Sequence, residues 1–303
     1  MLSVIIPAYN EENSVFDAYK CISDTLDKTD TQYEIIFVDD GSLDGTWGKI
    51  KALNQSKGNV CGIHFSRNFG KDAAIYAGLE KSQGDCCVVI DCDLQHPPDK
   101  IADMYALWEQ GYEIIEGVKS NRGKEGKLKK LAAKEFYSII GSALGTDMAN
   151  ASDFKLLDKK VVDVLVDMPE RSAFFRALSS WVGFKKTTIE FEVSRRKNGQ
   201  SKWSLGYLVK YALANISSFS SAPMYFVAVA GSLMFVSAVF ALIYALVYSM
   251  AYLAMTSILL FLGSVILISL GIMGYYLSRM YDEIKGRPRY IISGVCEKKD
   301  SKL

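Results

Sequence analysis

The sequence is short of the features that mark several functional classes. Its six cysteines, Cys21, Cys61, Cys86, Cys87, Cys92 and Cys296, include no C-x-x-C pair. They lie mostly inside apolar strand or helix patterns and read as reduced core residues in a cytosolic compartment. No G-x-G-x-x-G follows the first apolar run and no G-x-x-x-x-G-K-[ST] occurs anywhere. Neither a dinucleotide cofactor nor a phosphate-loop nucleotide site is indicated. Net charge is nearly absent too: 35 Lys plus Arg oppose 34 Asp plus Glu, which argues against a nucleic-acid partner. The N-terminal MLSVIIPAYNEE has no basic flank and only a brief apolar run. It reads as a first strand rather than a signal peptide.

The most informative absence is near the other end, where no charged side chain occurs between Lys210 and Arg279. A membrane span needs about 20 apolar residues, so this stretch supplies two, expected at Tyr225–Tyr248 and Ala254–Leu277. A buried helical hairpin in a soluble core is the alternative, but an ordinary core does not cover so long an uncharged run on every face. Basic residues precede the pair (Lys202, Lys210) and follow it (Arg279, Lys285, Arg287, Arg289), so both ends are expected on the cytoplasmic side. LGYLVKYALANISSF has apolar residues at helical spacing and reads as an interfacial helix on the bilayer. The expected organisation is a catalytic domain over 1–203, an amphipathic interfacial helix over 204–222, a transmembrane hairpin over 223–280 and a cytoplasmic tail over 281–303.

What the first 120 residues contain is a repeated strand, loop and amphipathic helix. LSVIIPA, YEIIFVD, NVCGIHFS, DCCVVID and YEIIEGV are the strands, the first four each followed by a helix. The rhythm predicts an α/β fold, a mainly parallel sheet with helices on both faces. Ligands of such sheets bind beyond the carboxyl ends of the strands. There the sequence places Pro7 to Glu12, Asp39 to Ser42, Ser66 to Asn68, and Asp91-Cys92-Asp93. Asp40-Gly41-Ser42 reads either as a turn with a helix cap or as an acidic group for ribose or base. Asp91 and Asp93 offer two carboxylates to a hard divalent cation that keeps open positions for diphosphate oxygens.

Taken together, IIPAYNEE, IIFVDDGSLDGT, FSRNFGKDAAIYAGL, VVIDCDLQHPP, NASDFKLLD and RRKNGQSKWSL, followed by the apolar run, resemble the family 2 glycosyltransferases of GT-A fold. Within them the set is most similar to the polyprenyl-phosphate glycosyltransferases of bactoprenol and dolichol-phosphate type. The resemblance implies inverting, metal-dependent transfer of a sugar from a nucleotide-diphosphate sugar, a UDP-hexose or UDP-N-acetylhexosamine, to polyprenyl phosphate. The reaction would run at the cytoplasmic face of the bacterial inner membrane, with the lipid bilayer as a further partner and a homo-oligomer, often a tetramer, as the assembly.

Residue by residue, the resemblance assigns nucleotide binding to Pro7, Tyr9, Glu11 and Asp40, and the cofactor, Mg²⁺ or Mn²⁺, to Asp91 and Asp93. Catalytic roles fall to Asp93, to Gln95 near the donor sugar and to Asp153. Arg195, Arg196, Ser201 and Lys202 would grip the acceptor phosphate and the diphosphate, in a segment that also reads as a basic patch facing anionic lipid. Asp153 reads alternatively as the N-cap of a following helix. Two positions depart from the family pattern. His96 stands where an acidic residue is usual and reads as a helix cap, and Lys119 replaces the usual Arg, keeping charge but losing a two-pronged donor. Two rivals carry less of the sequence. A processive polysaccharide synthase would carry Q-x-x-R-W, whereas the comparable region reads RSAFFRALSSW. A non-catalytic membrane scaffold would be expected to have lost Asp91, Asp93 or the basic patch.

Overall fold

The computed structural model describes residues 1–120, 151–170, 174–192, 229–231, 233, 236–237, 240, 243 and 251–297. Two compact units emerge, one of residues 1–204 with 288–303 and one of residues 205–287.

The first unit is built on β1 (Leu2–Ala8), α1 (Val15–Leu26), β2 (Tyr33–Asp39), α2 (Thr46–Ser56), β3 (Val60–Phe65), α3 (Lys71–Lys81) and β4 (Cys86–Val89). It continues through α4 (Lys100–Glu109), β5 (Ile114–Lys119), β6 (Lys155–Asp158), α5 (Lys159–Asp167), α6 (Phe175–Trp181) and β7 (Lys186–Phe191). The strands lie in the order β7-β5-β6-β4-β1-β2-β3-β8, where β8 is Ile292–Cys296. β1 pairs in parallel with β2 and β4, β2 with β3, and β5 with β7, whereas β6 runs antiparallel to both β4 and β5. The mainly parallel α/β expectation therefore holds.

The side-chain period of two explains why both faces are covered. In β2, Ile35 and Phe37 join one core with Val4, Ile6, Val15, Ile22 and Ile50. Ile36 and Val38 join another with Ile63, Phe65, Ala74 and Ala77 of α3. Gly78 lets α3 approach the sheet closely, for a Cβ there would lie 2.4 Å from Ile5 Cγ2. After β3 the chain returns to the far side of β1 to lay down β4. The order reverses between β1 and β4, and ligands of open α/β sheets bind in the crevice at such a point.

The stretch expected as a cytoplasmic tail over 281–303 contains a further strand. Ile292–Cys296 forms β8, antiparallel to β3, pairing Ile63 with Val295 and His64 with Gly294. Asn54 ties this end down, donating to the carbonyls of Val60 (2.8 Å) and Glu297 (2.7 Å). A five-residue strand beyond a basic segment gives little periodicity to read, and only the unpaired edge of β3 makes it a strand.

In the second unit the described element is α7 (Ala251–Ile284), a helix of 34 residues. Among the described residues it is the one helix long and apolar enough to cross a membrane, with mean hydropathy 1.7 over Phe261–Ser278. The expected span Ala254–Leu277 falls inside it. The expected span Tyr225–Tyr248, apart from isolated helical positions such as Leu233 and Phe240, lies outside the described residues, as does most of the segment read as an interfacial helix.

Candidate active site

Four loops meet beyond the carboxyl ends of β1, β2, β3 and β4. The first two are laced together by polar pairs. Asn10 N donates to Ser42 Oγ (2.8 Å), Leu43 N to Asn10 Oδ1 (2.9 Å), Glu11 N to Thr46 Oγ1 (2.9 Å) and Gly45 N to Glu12 Oε2 (2.8 Å). Asn10 adopts a positive φ of 52° to make this turn, a conformation that Asn tolerates better than most residues. Of the residues assigned to the nucleotide, Pro7 is buried in β1 and Tyr9 is 38% exposed beside it, while the Glu11 carboxylate accepts from Ser14 Oγ at 2.8 Å.

Asp40 is buried and both its oxygens are engaged, Oδ1 by Phe69 N at 2.6 Å and Oδ2 by Gly70 N at 2.9 Å. Burial pushes its carboxyl up to about 6, against the pull of those two amides. Its neighbour Gly41 has φ +68°, and a Cβ there would lie 2.3 Å from the Arg67 carbonyl carbon, so the loops after β2 and β3 touch backbone to backbone. Asp40 thus fixes the loop that launches α3. The N-cap of α2 is Gly45, and the first helical amide, Thr46 N, donates to Asp44 Oδ1 at 3.0 Å. Asp39, fully buried, accepts from Ser42 N at 3.0 Å and meets His64 Nδ1 at 2.8 Å.

The charged centre is a chain of four residues. Lys71, the first residue of α3, puts Nζ 2.6 Å from Asp91 Oδ1 and 2.7 Å from Asp153 Oδ2. Arg176 of α6 closes on Asp153 with Nε 2.6 Å from Oδ1 and a terminal nitrogen 2.7 Å from Oδ2. Burial would raise Asp153, but Arg176 and Lys71 outweigh it and hold the carboxyl well below the usual carboxylate range. Asp91 behaves alike: burial raises it, and Lys71 pulls it below its ordinary value. Burial likewise works against the Lys71 ammonium, and the two aspartates keep it protonated. The expected Asp91 and Asp153 are therefore brought together through Lys71. Neither Lys71 nor Arg176 was among the expected site residues.

Asp153 does not cap a helix, because Phe154 leads directly into β6. The N-cap of α5 is Asp158, whose carboxylate accepts from Lys160 N at 2.9 Å. Beside it Lys155 is wholly buried, 3.2 Å from Glu116 Oε1, and donates to Ser179 Oγ at 2.9 Å and Ser180 Oγ at 3.2 Å.

A divalent cation fits the donor set at the end of β4. Asp91 Oδ1 is a buried carboxylate oxygen, neutralised by Lys71 Nζ at 2.6 Å. Asp93 follows at the rim, its Oδ1 accepting from Gln95 N at 3.1 Å. Among the described residues no three His, Cys, Asp or Glu side chains close into a metal cage, in keeping with a cation that takes much of its coordination from a bound phosphate. His96 is not a cap, since that place belongs to Asp99. Its ring is buried, stacked on Phe154 with centroids 5.0 Å apart and edge-on to Phe191 at 5.4 Å. Arg195, Arg196, Ser201 and Lys202 lie outside the described residues.

The profile of Glycosyl transferase family 2 matches residues 3–166. The chain is 37% identical over 300 residues to an uncharacterized glycosyltransferase of Synechocystis sp., sll0501, covering 96% of this chain and 94% of that one. It is 35% identical over 307 residues to the putative glycosyltransferase CsbB of Bacillus subtilis, with coverage of 96% and 91%. To the prophage bactoprenol glucosyl transferase homolog of Escherichia coli it is 34% identical over 302 residues, with coverage of 97% and 99%. With its parallel sheet, its acidic edge at the β1/β4 switch point and a family match over more than half its length, the chain belongs to the family 2 glycosyltransferases.

Proposed function

We propose that the chain transfers a hexose or N-acetylhexosamine unit from a UDP-sugar to polyprenyl phosphate at the cytoplasmic face of a bacterial inner membrane, inverting the anomeric centre. The observation that carries this is the likeness to the bactoprenol glucosyl transferase homolog, which runs through 97% of this chain and so takes in the apolar C-terminal stretch as well as the sheet. The α7 helix supports a membrane-borne acceptor, and the uncharged run before it supports a second span and a hairpin. In this reading residues 1–203 are the catalytic domain, 204–222 an interfacial helix and 223–280 the hairpin, with the protein assembled as a homo-oligomer.

The residues divide the work as follows. Pro7, Tyr9, Glu11 and the loop held by Asp40 receive the nucleotide. Asp91 and Asp93 hold Mg²⁺ or Mn²⁺, which supplies positive charge where the departing diphosphate accumulates negative charge. Gln95 lies next to the donor sugar, and Arg195, Arg196, Ser201 and Lys202 grip the acceptor phosphate. Asp153, tied to two cations, is not a base poised near neutral pH. A lipid phosphate has its second pKa near 6, so it is largely anionic in the cytosol and attacks without giving up a proton. Asp153 acts as an orienting group that fixes Lys71 beside Asp91.

The test uses the full chain in detergent with undecaprenyl phosphate, Mn²⁺ or Mg²⁺ and labelled UDP- and GDP-sugars. Label from one donor passing into the organic phase, lost with Asp91→Ala and on chelation, is the expected result. No lipid-borne label from any donor would sink the reading.

A further inference from the structure

Asp91 and Asp153 stand level at the edge of the sheet, because Val89 of β4 pairs with Lys155 of the antiparallel β6 and each aspartate lies two residues further toward the crevice. Lys71 bridges them, and Lys71 Nζ and Arg176 Nη2 both lie 2.7 Å from one oxygen, Asp153 Oδ2. The Asp153 side chain is only 6% exposed, whereas those of Lys71 and Arg176 are 35% and 31% exposed. Two adjacent cations therefore face the solvent here, with one shared negative charge behind them. An ammonium has three N–H donors, and the two aspartates, its ion-pair partners among the described residues, take two of them. A second tie holds the pair in place: Asp72, beside Lys71, accepts at 3.0 Å from the amide of Phe175, beside Arg176.

Fold stability alone does not call for such a cluster, since apolar residues of similar volume often replace buried ion pairs at no loss. We propose that Lys71 and Arg176 form a seat for phosphate oxygens, additional to the basic segment 195–202, with Asp153 as the buried counter-ion that keeps both cationic heads in place. The chemistry suits the ligand. A phosphate carries several anionic oxygens and takes short, charge-assisted hydrogen bonds from an ammonium and a guanidinium at once. The inference rests on the sugar-transfer reading and adds to its site two residues that no motif singled out. In that reaction phosphate oxygens come from two sources, the diphosphate of the donor and the monophosphate ester of the acceptor. Held ready before the substrates arrive, the two cations would orient the attacking phosphate or stabilise the charge gathering on the departing one.

The experiment is isothermal titration of the full-length protein in detergent, in buffer with Mn²⁺, using farnesyl phosphate and, separately, uridine diphosphate. Lys71→Gln keeps a hydrogen-bond donor for the aspartates and loses the charge. Its Kd for the ligand seated there is expected to rise on the order of tenfold, the loss of one charge-assisted hydrogen bond, and Lys71→Arg should restore most of it. Weakening confined to farnesyl phosphate assigns the seat to the acceptor, weakening confined to uridine diphosphate assigns it to the donor, and weakening of both assigns it to the two together. A purely structural role would lower the melting midpoint and leave both Kd values unchanged, which overturns the inference while the transfer reading stands. Where Lys71→Gln does not fold, electron cryo-microscopy of the wild type with each ligand decides. Phosphate oxygens within about 3.2 Å of Lys71 Nζ or an Arg176 nitrogen support the seat; phosphates placed elsewhere refute it. A wild type that neither binds farnesyl phosphate nor passes label from any UDP-sugar to a lipid phosphate overturns the transfer reading and this inference with it.

Discussion

Arg176 grips Asp153 by both oxygens, at 2.6 and 2.7 Å, while Lys71 reaches the same carboxylate at 2.7 Å. Two cations on one buried carboxylate make a structural and electrostatic unit in which loss of any member exposes the others. Asp153→Asn is expected to leave Lys71 and Arg176 without their shared counter-charge, costing on the order of 3–5 kcal/mol, read as a lower thermal unfolding midpoint. Arg176→Lys keeps the charge and loses the fork, so it should retain more stability than Arg176→Ala but still lower turnover. The stability that Asp153 contributes exists above its unfolded pKa and is lost as pH falls through its depressed folded value. Activity should accordingly show no ascending limb owed to Asp153 between pH 6 and 8, roughly the range where a poised general base would titrate. A limb there that disappears in Asp153→Asn would show it to be a base after all.

Asp40 predicts the opposite pH dependence. Its carboxyl is raised to about 6, so across the window from about 4 to about 6 the folded state binds a proton that the unfolded chain has released. Its contribution to stability is therefore present below that window and declines as pH rises through it. Asp40→Asn should reduce this slope, leaving the share of Asp72, whose carboxyl burial also raises to about 6. It also replaces one of two acceptors facing Phe69 N and Gly70 N by a donor, at a cost of about 1–3 kcal/mol. Thermal melts of both proteins at pH 4 to 7 measure the slope and the offset together.

Glu116 and Lys155 form a buried pair at 3.2 Å. Glu116→Gln alone leaves an uncompensated buried ammonium and is expected to cost roughly 3–5 kcal/mol, whereas replacing both by apolar residues should recover most of that. A double-mutant cycle in melting midpoint checks it. Equal losses in the single and double variants would place the cost elsewhere.

β8 provides a fourth test. Ending the chain at Gly286 removes the partner of β3 and the carbonyls that Asn54 holds. The prediction is a lower melting midpoint for residues 1–204 and faster proteolysis of the exposed β3 edge. Asn54→Ala should show a milder form of the same loss.

Much of the fold was readable because the sheet is buried on both faces. Runs such as YEIIFVD and DCCVVID have no polar side to hide, and each ends in the acidic residues that mark the crevice. The place of Asp91 at the crevice was legible for that reason. Lys71 was not, although one signal was available: a lysine at the first position of a helix sits against the positive end of the dipole and needs nearby anions, here Asp91 and Asp153. Arg176 gave no such signal, since it meets Asp153 only after β6, α5 and α6 have folded back. The helix-cap readings of His96 and Asp153 failed because capping residues and buried polar residues look alike in sequence; only Phe154 and Phe191 around the imidazole distinguish them.

The edge strand β8 also sets an order of events during synthesis. The ribosome makes β1 to β7 first, then α7, and only then the five residues that complete the sheet. Until they emerge, β3 presents an open edge, and the nascent sheet waits through the making of the long apolar helix α7 before it can close. A chain stalled within α7 is thus recognisable by its unfinished sheet, which couples completion of the catalytic domain to completion of the segment that follows it.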